Sequence, residues 1–424
     1  MFVPCVRRWS IAAVLLLSAV PAPAFAQAPA APSAQMLAEA RAEVDRLKQE
    51  LAAMREQYDK RLADLEQRLT TLAAAPPASA EPSPQSTAAA SAAAAGASKV
   101  FNPDMSVNGN FVGVGGKNEN SDQPPLDLSE VEMAFQAVVD PYARADFFLS
   151  AGPEGLEVEE GFITFNTLPG GLLFKGGKMR AQFGKVNTLH THSLPYADRP
   201  LVTENLVGGD EGISQPGVSL SRLIQNSAIF LEATGEAFYS NSEVFASSER
   251  SKLTYVARLR GYRDITEGTN LDVGGSYAYG PSAHPPEAFA PENTNTELVG
   301  FDATFRYRPL RRAIYRRFQA RTELVWSRPR SARGTSPTAF GYYGLGEYQF
   351  ARRWYAGARY DRSAHPFDNT LVDTGGSFFL TYWPSEFSQV RGQYRRTNYG
   401  DDVNANEFLF QLNFSIGAHG AHVF

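Results

Sequence analysis

The chain has 424 residues, more than one ordinary domain, and a formal net charge of −5 that gives no reason to expect nucleic acid as a partner. Its one cysteine, Cys5, lies in the leader, which excludes disulfides and thiolate metal sites from the rest. No apolar run after the leader approaches the ~20 residues of a membrane-spanning helix.

Residues 1–26 read as an export signal: Arg7 and Arg8, an apolar core from Ile11 to Val20, and the small-x-small site Ala24-Phe25-Ala26. Over 34–73, Leu37, Ala40, Val44, Leu47, Leu51 and Met54, then Leu62, Leu65, Leu69 and Leu72, form an a/d seam with charged flanks. The seam predicts a coiled coil, with a four-residue insertion near Tyr58; a lone amphipathic helix is the alternative. From 74 to 99 the composition falls to Ala, Pro and Ser, as in a flexible linker.

The remainder, 100–424, predicts an all-β fold: a transmembrane antiparallel β-barrel of about 16 strands (range about 14–18). In the last strand Phe408, Phe410, Leu412, Phe414 and Ile416 alternate with Leu409, Gln411, Asn413 and Ser415. A soluble sandwich would show a similar strand, with its oily face inward. The connections decide for the barrel, because short ones alternate with long ones at 115–127, 182–215, 237–252, 280–295, 328–338 and 362–373. Short turns then belong on the periplasmic side of an outer membrane, together with both termini and the coiled coil. Charge toward lipid is costly, so Tyr255, Leu259, Val299 and Phe301 face acyl chains. Tyr262, Tyr307, Trp326, Trp354, Tyr382 and Trp383 are candidates for interfacial belts.

That facing lines the pore with Lys178, Arg180, Arg258, Arg260, Arg306, Arg321, Arg359, Arg391 and Arg395, and turns Glu130, Glu132, Asp146, Asp302, Glu323 and Asp361 inward. Such a ladder of forks favours a weak anion preference unless acids and arginines pair across the wall. The 182–215 segment, the longest loop and the third on the outside, is expected to fold into the barrel. Its His190, His192, Asp198, Arg199, Glu204, Asp210 and Glu211 would then line a constriction.

The run Leu172-Leu173-Phe174-Lys175-Gly176-Gly177-Lys178, followed by Phe183-Gly184-Lys185-Val186-Asn187, His190-Thr191-His192 and Asp198-Arg199-Pro200, resembles the phosphate-selective-porin-like family. It is more similar still to relatives described as zinc-regulated outer-membrane proteins. The resemblance covers roughly 100–424 and implies an outer-membrane pore, commonly trimeric. Lysine, prominent in the constriction of phosphate-selective members, is scarce in this barrel.

His190/His192 and His419/His422 are pairs able to bind zinc, with Asp198 as a third ligand for the first; turn hydrogen bonding is the plainer reading. No Gly-x-Ser-x-Gly elbow, His-Glu-x-x-His helix or phosphate loop is present, so no enzyme is expected and no cofactor beyond a possible zinc. The expectation is a porin passing small anionic or neutral solutes, a homotrimer through barrel and coiled coil, bathed in outer-membrane lipid. The alternatives are a plugged barrel tethering membrane to cell wall, and a divalent-metal uptake barrel.

Overall fold

A computed structural model of the chain describes residues 103–417, apart from 153–154, 227, 288–293, 332–333 and 336. The chain divides into two units, 1–88 and 89–424, and every described residue belongs to the second. The export signal, the coiled coil, the linker, and His419 with His422 therefore lie outside the described residues.

The strands are β1 (Asp104–Lys117), β2 (Leu126–Asp140), β3 (Ala143–Gly152), β4 (Gly155–Leu168), β5 (Leu172–Arg180), β6 (Ser214–Ile224), β7 (Phe230–Tyr239), β8 (Leu253–Thr266) and β9 (Thr269–Pro281). They continue with β10 (Asn295–Tyr307), β11 (Arg317–Ser331), the two-residue β12 (Gly334–Thr335), β13 (Ala339–Ala351), β14 (Trp354–His365), β15 (Asp368–Ser385), β16 (Ser388–Asn398) and β17 (Asn404–Gly417). Apart from β12, a flap on the end of β11, each strand pairs antiparallel with its sequence neighbours. β1 closes the sheet on β17, from Ser106 opposite Gly417 to Lys117 opposite Asn406. The result is a closed barrel of sixteen long strands, which leaves no unpaired edge.

Alternation of side chains explains the wall. Tyr255, Leu259, Phe301, Phe408 and Ile416 stand exposed on the outside, while Arg258, Asp302, Thr304 and Gln411 are buried within. Two aromatic clusters mark the outer surface: Trp326 stacked on Phe340 at 5.0 Å, and Trp354 on Tyr382 at 4.6 Å. Phe350 joins the second cluster. From Phe340 to Phe350 along β13 is ten residues, which at ~3.3 Å each and a tilt of ~40° spans ~25 Å, the height of a bilayer's apolar band. Trp383 departs from the belt expectation: Tyr382 holds the outward position, so its neighbour turns inward and lines the mouth.

The 362–373 stretch is also not a long loop. β14 runs to His365 and β15 starts at Asp368, joined by Pro366-Phe367, with Phe367 at φ 67. Its polar composition reflects a hairpin whose tip carries an ion pair, His365 to Asp373 at 2.9 Å, in place of an apolar stripe. The two ends of the described chain and the connections 141–142, 169–171, 267–268 and 352–353 share one rim. The 181–213 connection leaves from the other.

Candidate functional site

The 181–213 loop enters the barrel because it carries its own apolar face and the wall supplies a matching one. Phe183, Val186, Leu194, Tyr196, Val202 and Leu206 from the loop cluster with inward-facing Val256, Leu298, Val325, Tyr343 and Leu345. Val202 and Leu206 sit on α1 (Leu201–Leu206), a single turn and a half after Pro200. Each such side chain contributes ~1.5–3 kcal/mol by leaving water. The root of the loop is closed by Asn187, whose amide donates to the carbonyls of Ala181 and Ile213 while its Oδ1 accepts from the Ile213 N–H. Gly212, at φ +62, is required beside it: a Cβ there would lie 2.1 Å from Asn187 Oδ1.

Wall side chains then pin the loop along its length. Arg258 donates to the Gly184 carbonyl and pairs with Asp302, and Glu323 accepts from the Val186 N–H at 2.7 Å. Farther round, Asp198 is clasped by Arg359 and Arg395, each at 2.9 Å, and by the Gln393 amide. Arg359 also lies over the Tyr196 ring at 4.2 Å. Burial alone would raise the Asp198 pKa, but the two guanidiniums outweigh it and hold the carboxyl well below its ordinary range.

Three strands farther round from β16, on the wall of β2 and β4, His190 meets three glutamates: Nδ1 is 2.6 Å from Glu132 and 3.2 Å from Glu159, and Nε2 is 2.8 Å from Glu160. His192 Nδ1 lies 3.3 Å from Glu130. Glu159 and Glu160 are adjacent in sequence, and ordinary alternation would send one of them to lipid. A β-bulge prevents that: Phe148 pairs with Glu160 and Leu149 with Val158, leaving Glu159 as the extra residue. Sequence alternation identified Glu130 and Glu132 as inward, whereas this second pair was missed; two consecutive acids in a spanning strand were the available signal.

Among the expected constriction residues, His190, His192 and Asp198 are therefore fasteners between loop and wall, while Arg199 ties the loop to itself. Arg199 donates to the carbonyls of Val186 and Leu189. Glu204, Asp210 and Glu211 are exposed. Asp198 is too far committed to β14 and β16 to serve as the third metal ligand expected of it; the carboxylates beside the histidines come from β2 and β4.

The arginine ladder is largely neutralised. Lys178 pairs with Glu157, Arg180 with Glu159, Arg258 with Asp302, Arg260 with Asp272, Arg359 with Asp198 and Asp361, and Arg395 with Asp198 and Glu407. Three differ. Arg306 reaches Asp272 only at 4.0 Å, Arg391 bonds to Thr381 and Gln411, and Arg321 has Nε and Nη1 without a hydrogen-bond partner among the described residues. All three line a cavity of about 240 Å³ between the loop and the short-turn rim, which Arg308, Arg317, Glu347 and Glu386 also line.

Lys185 adds to this charge from the loop. Burial, reinforced by Arg321, Arg260 and Arg306, pulls its ammonium down to about 8. It is thus charged at neutral pH and loses that charge as pH rises past 8. One unit charge about 8 Å from a passing ion in water is worth ~0.5 kcal/mol unscreened and ~0.2 kcal/mol at working salt, attracting the anion and repelling the cation, roughly twofold in their ratio. The anion-to-cation permeability ratio, from zero-current potentials, should fall by about that factor between pH 7 and pH 9. Lys185→Arg should abolish the step.

No protein-family model matches the sequence. The chain is 28% identical over 390 residues to an uncharacterized protein of Aquifex aeolicus (strain VF5), covering 77% of this chain and 81% of that one. Among solved structures it is similar to OprB of Pseudomonas putida (TM-score 0.54, 10% identity, 77% of this chain and 97% of that one). It is similar also to the trimer form of OmpT, an outer membrane protein of Vibrio cholerae (0.50, 11%, 74% and 100%). A third likeness is to an anion-selective porin from Comamonas acidovorans (0.50, 9%, 74% and 98%). At such identities the likeness is one of fold: the chain shares with these proteins a closed antiparallel barrel.

Proposed function

We propose that this protein is an outer-membrane porin, a channel for passive diffusion of small hydrophilic solutes, with a weak preference for anions. The observation that carries the reading is the loop folded inside a closed barrel with Arg306, Arg321 and Arg391 gathered beneath it, of which, among the described residues, only Arg306 pairs with a carboxylate, Asp272 at 4.0 Å. Guanidinium groups keep their charge at every working pH and offer donors that an anion can bridge in passing. The paired arginines hold the constriction in shape and add little net field. The apolar outer band between two aromatic clusters fits lipid, and the short-turn rim would face the periplasm. The likeness to the trimer form of OmpT and to an anion-selective porin supports three copies per assembly and the sign of the selectivity.

Planar-bilayer recording of the purified protein under a potassium chloride gradient tests this. Stepwise, ohmic openings with a zero-current potential displaced toward chloride are expected. A barrel that never conducts would favour the plugged tether, and a displacement toward potassium would reject the anion preference.

A further inference from the structure

We propose that the pocket around His190 binds one divalent transition-metal ion, ligated by His190 Nδ1 and the carboxylates of Glu130, Glu132 and Glu159. The pocket joins three parts of the fold: Glu130 and Glu132 on β2, Glu159 on β4, and His190 on the inward loop. One ligand atom from each of the four lies within 4.8 Å of the other three. A tetrahedral ion with bonds of ~2.0–2.2 Å holds its ligands ~3.3 Å apart, so modest side-chain adjustment brings all four onto one centre.

Two features beyond proximity point to a cation. The first is a surplus of acceptors. A ring nitrogen carries at most one proton, so Nδ1 can serve Glu132 or Glu159 but not both, and Glu159 Oε2 is sealed from water. Charge gathers in the same place: the carboxylates of Glu130, Glu132, Glu159 and Glu160 converge, largely buried, around Arg180 and two imidazoles. Buried charge of that kind is expensive unless an ion offsets it. The second is the outer arrangement. Glu160 sits on His190 Nε2, which orients the ring with Nδ1 toward the other three carboxylates. Arg180 holds Glu159 through Oε1 and leaves Oε2 for the centre. A carboxylate behind a ligating imidazole and a fixed ligating carboxylate are the supports that metal sites use.

The donor set also selects the ion. One imidazole nitrogen with carboxylate oxygens suits zinc, cobalt or manganese, whereas calcium and magnesium take oxygen alone. Because the loop supplies one ligand and the wall supplies three, the bound ion would fasten the loop to β2 and β4. That stretch of wall is separate from the Asp198 clasp on β14 and β16, with β17 and β1 between them. The role is structural and does not depend on which solute the barrel passes.

Full-length protein purified in detergent, stripped with EDTA, then dialysed against zinc and assayed by elemental analysis, should hold about one zinc per chain. Glu159→Gln and His190→Gln should each reduce retention at least tenfold, while Glu157→Gln, on the exposed Lys178 pair, should leave it unchanged. Folding of each variant is checked by the heat-dependent shift in gel mobility shown by intact barrels. Cobalt supplies a readout independent of the variants: visible d–d bands of low-symmetry cobalt should appear in the stripped wild-type protein and vanish on adding zinc. Wild-type protein without retained zinc and without those bands would overturn the site, as would binding untouched in folded Glu159→Gln and His190→Gln.

Discussion

Replacing Asp198 by Ala is expected to detach the inward loop from β14 and β16 and to lower the unfolding free energy by about 3–5 kcal/mol, the usual penalty for stranding buried partners of an ion pair. Two guanidiniums, Arg359 and Arg395, lose their shared carboxylate at once, although Asp361 and Glu407 remain to each. Single-channel records of the variant should show larger and noisier openings as the loop samples the lumen. The pH dependence follows from the depressed pKa of Asp198. A carboxylate whose folded pKa lies below its unfolded value contributes stability above the unfolded value, near ~3.9, and that contribution is lost as pH falls. The gap between wild type and variant should therefore hold constant from pH 8 to pH 5 and shrink only below about pH 4.

Converting Arg306, Arg321 and Arg391 together to Gln is expected to lower the anion-to-cation permeability ratio by about eightfold, at roughly twofold for each charge removed from the path. Zero-current potentials in a salt gradient measure it. Converting the paired Arg260 and Asp272 together to Gln and Asn instead should move the potential far less, because the two bonded charges leave together and the net charge of the path is unchanged. Equal effects from paired and unpaired arginines would mean that ion pairing does not set the field of this pore.

The wall was legible in the sequence because hydrocarbon imposes a period of two along most of every strand. All sixteen strand cores expected from alternation fall within or against observed long strands, and even the inward position of Glu132 and Asp302 follows. The loop's inward course was legible from its length. What was not legible depends on partners far apart in the chain. Nothing near Arg359 announces Asp198, 161 positions away, and an unpaired arginine looks the same in sequence as a paired one. Inward-facing Leu298, Val325 and Tyr343 break the polar-inside rule only because a loop packs on them. The bulge at Glu159 likewise shifts one residue against the alternation on which every facing assignment relied.

The measurement that bears most directly on the account is whether the underside of the loop lies in the conducting path. The sequence has one cysteine, so a Cys5→Ser background carrying Ser193→Cys presents a single thiol beside the cavity at the short-turn rim. A small, charged, water-soluble thiol reagent added from that rim should react within the recording and reduce the single-channel conductance in one step per channel. A thiol that stays unreactive while current flows, or that reacts and leaves the current unchanged, would place the loop outside the pore and contradict the account.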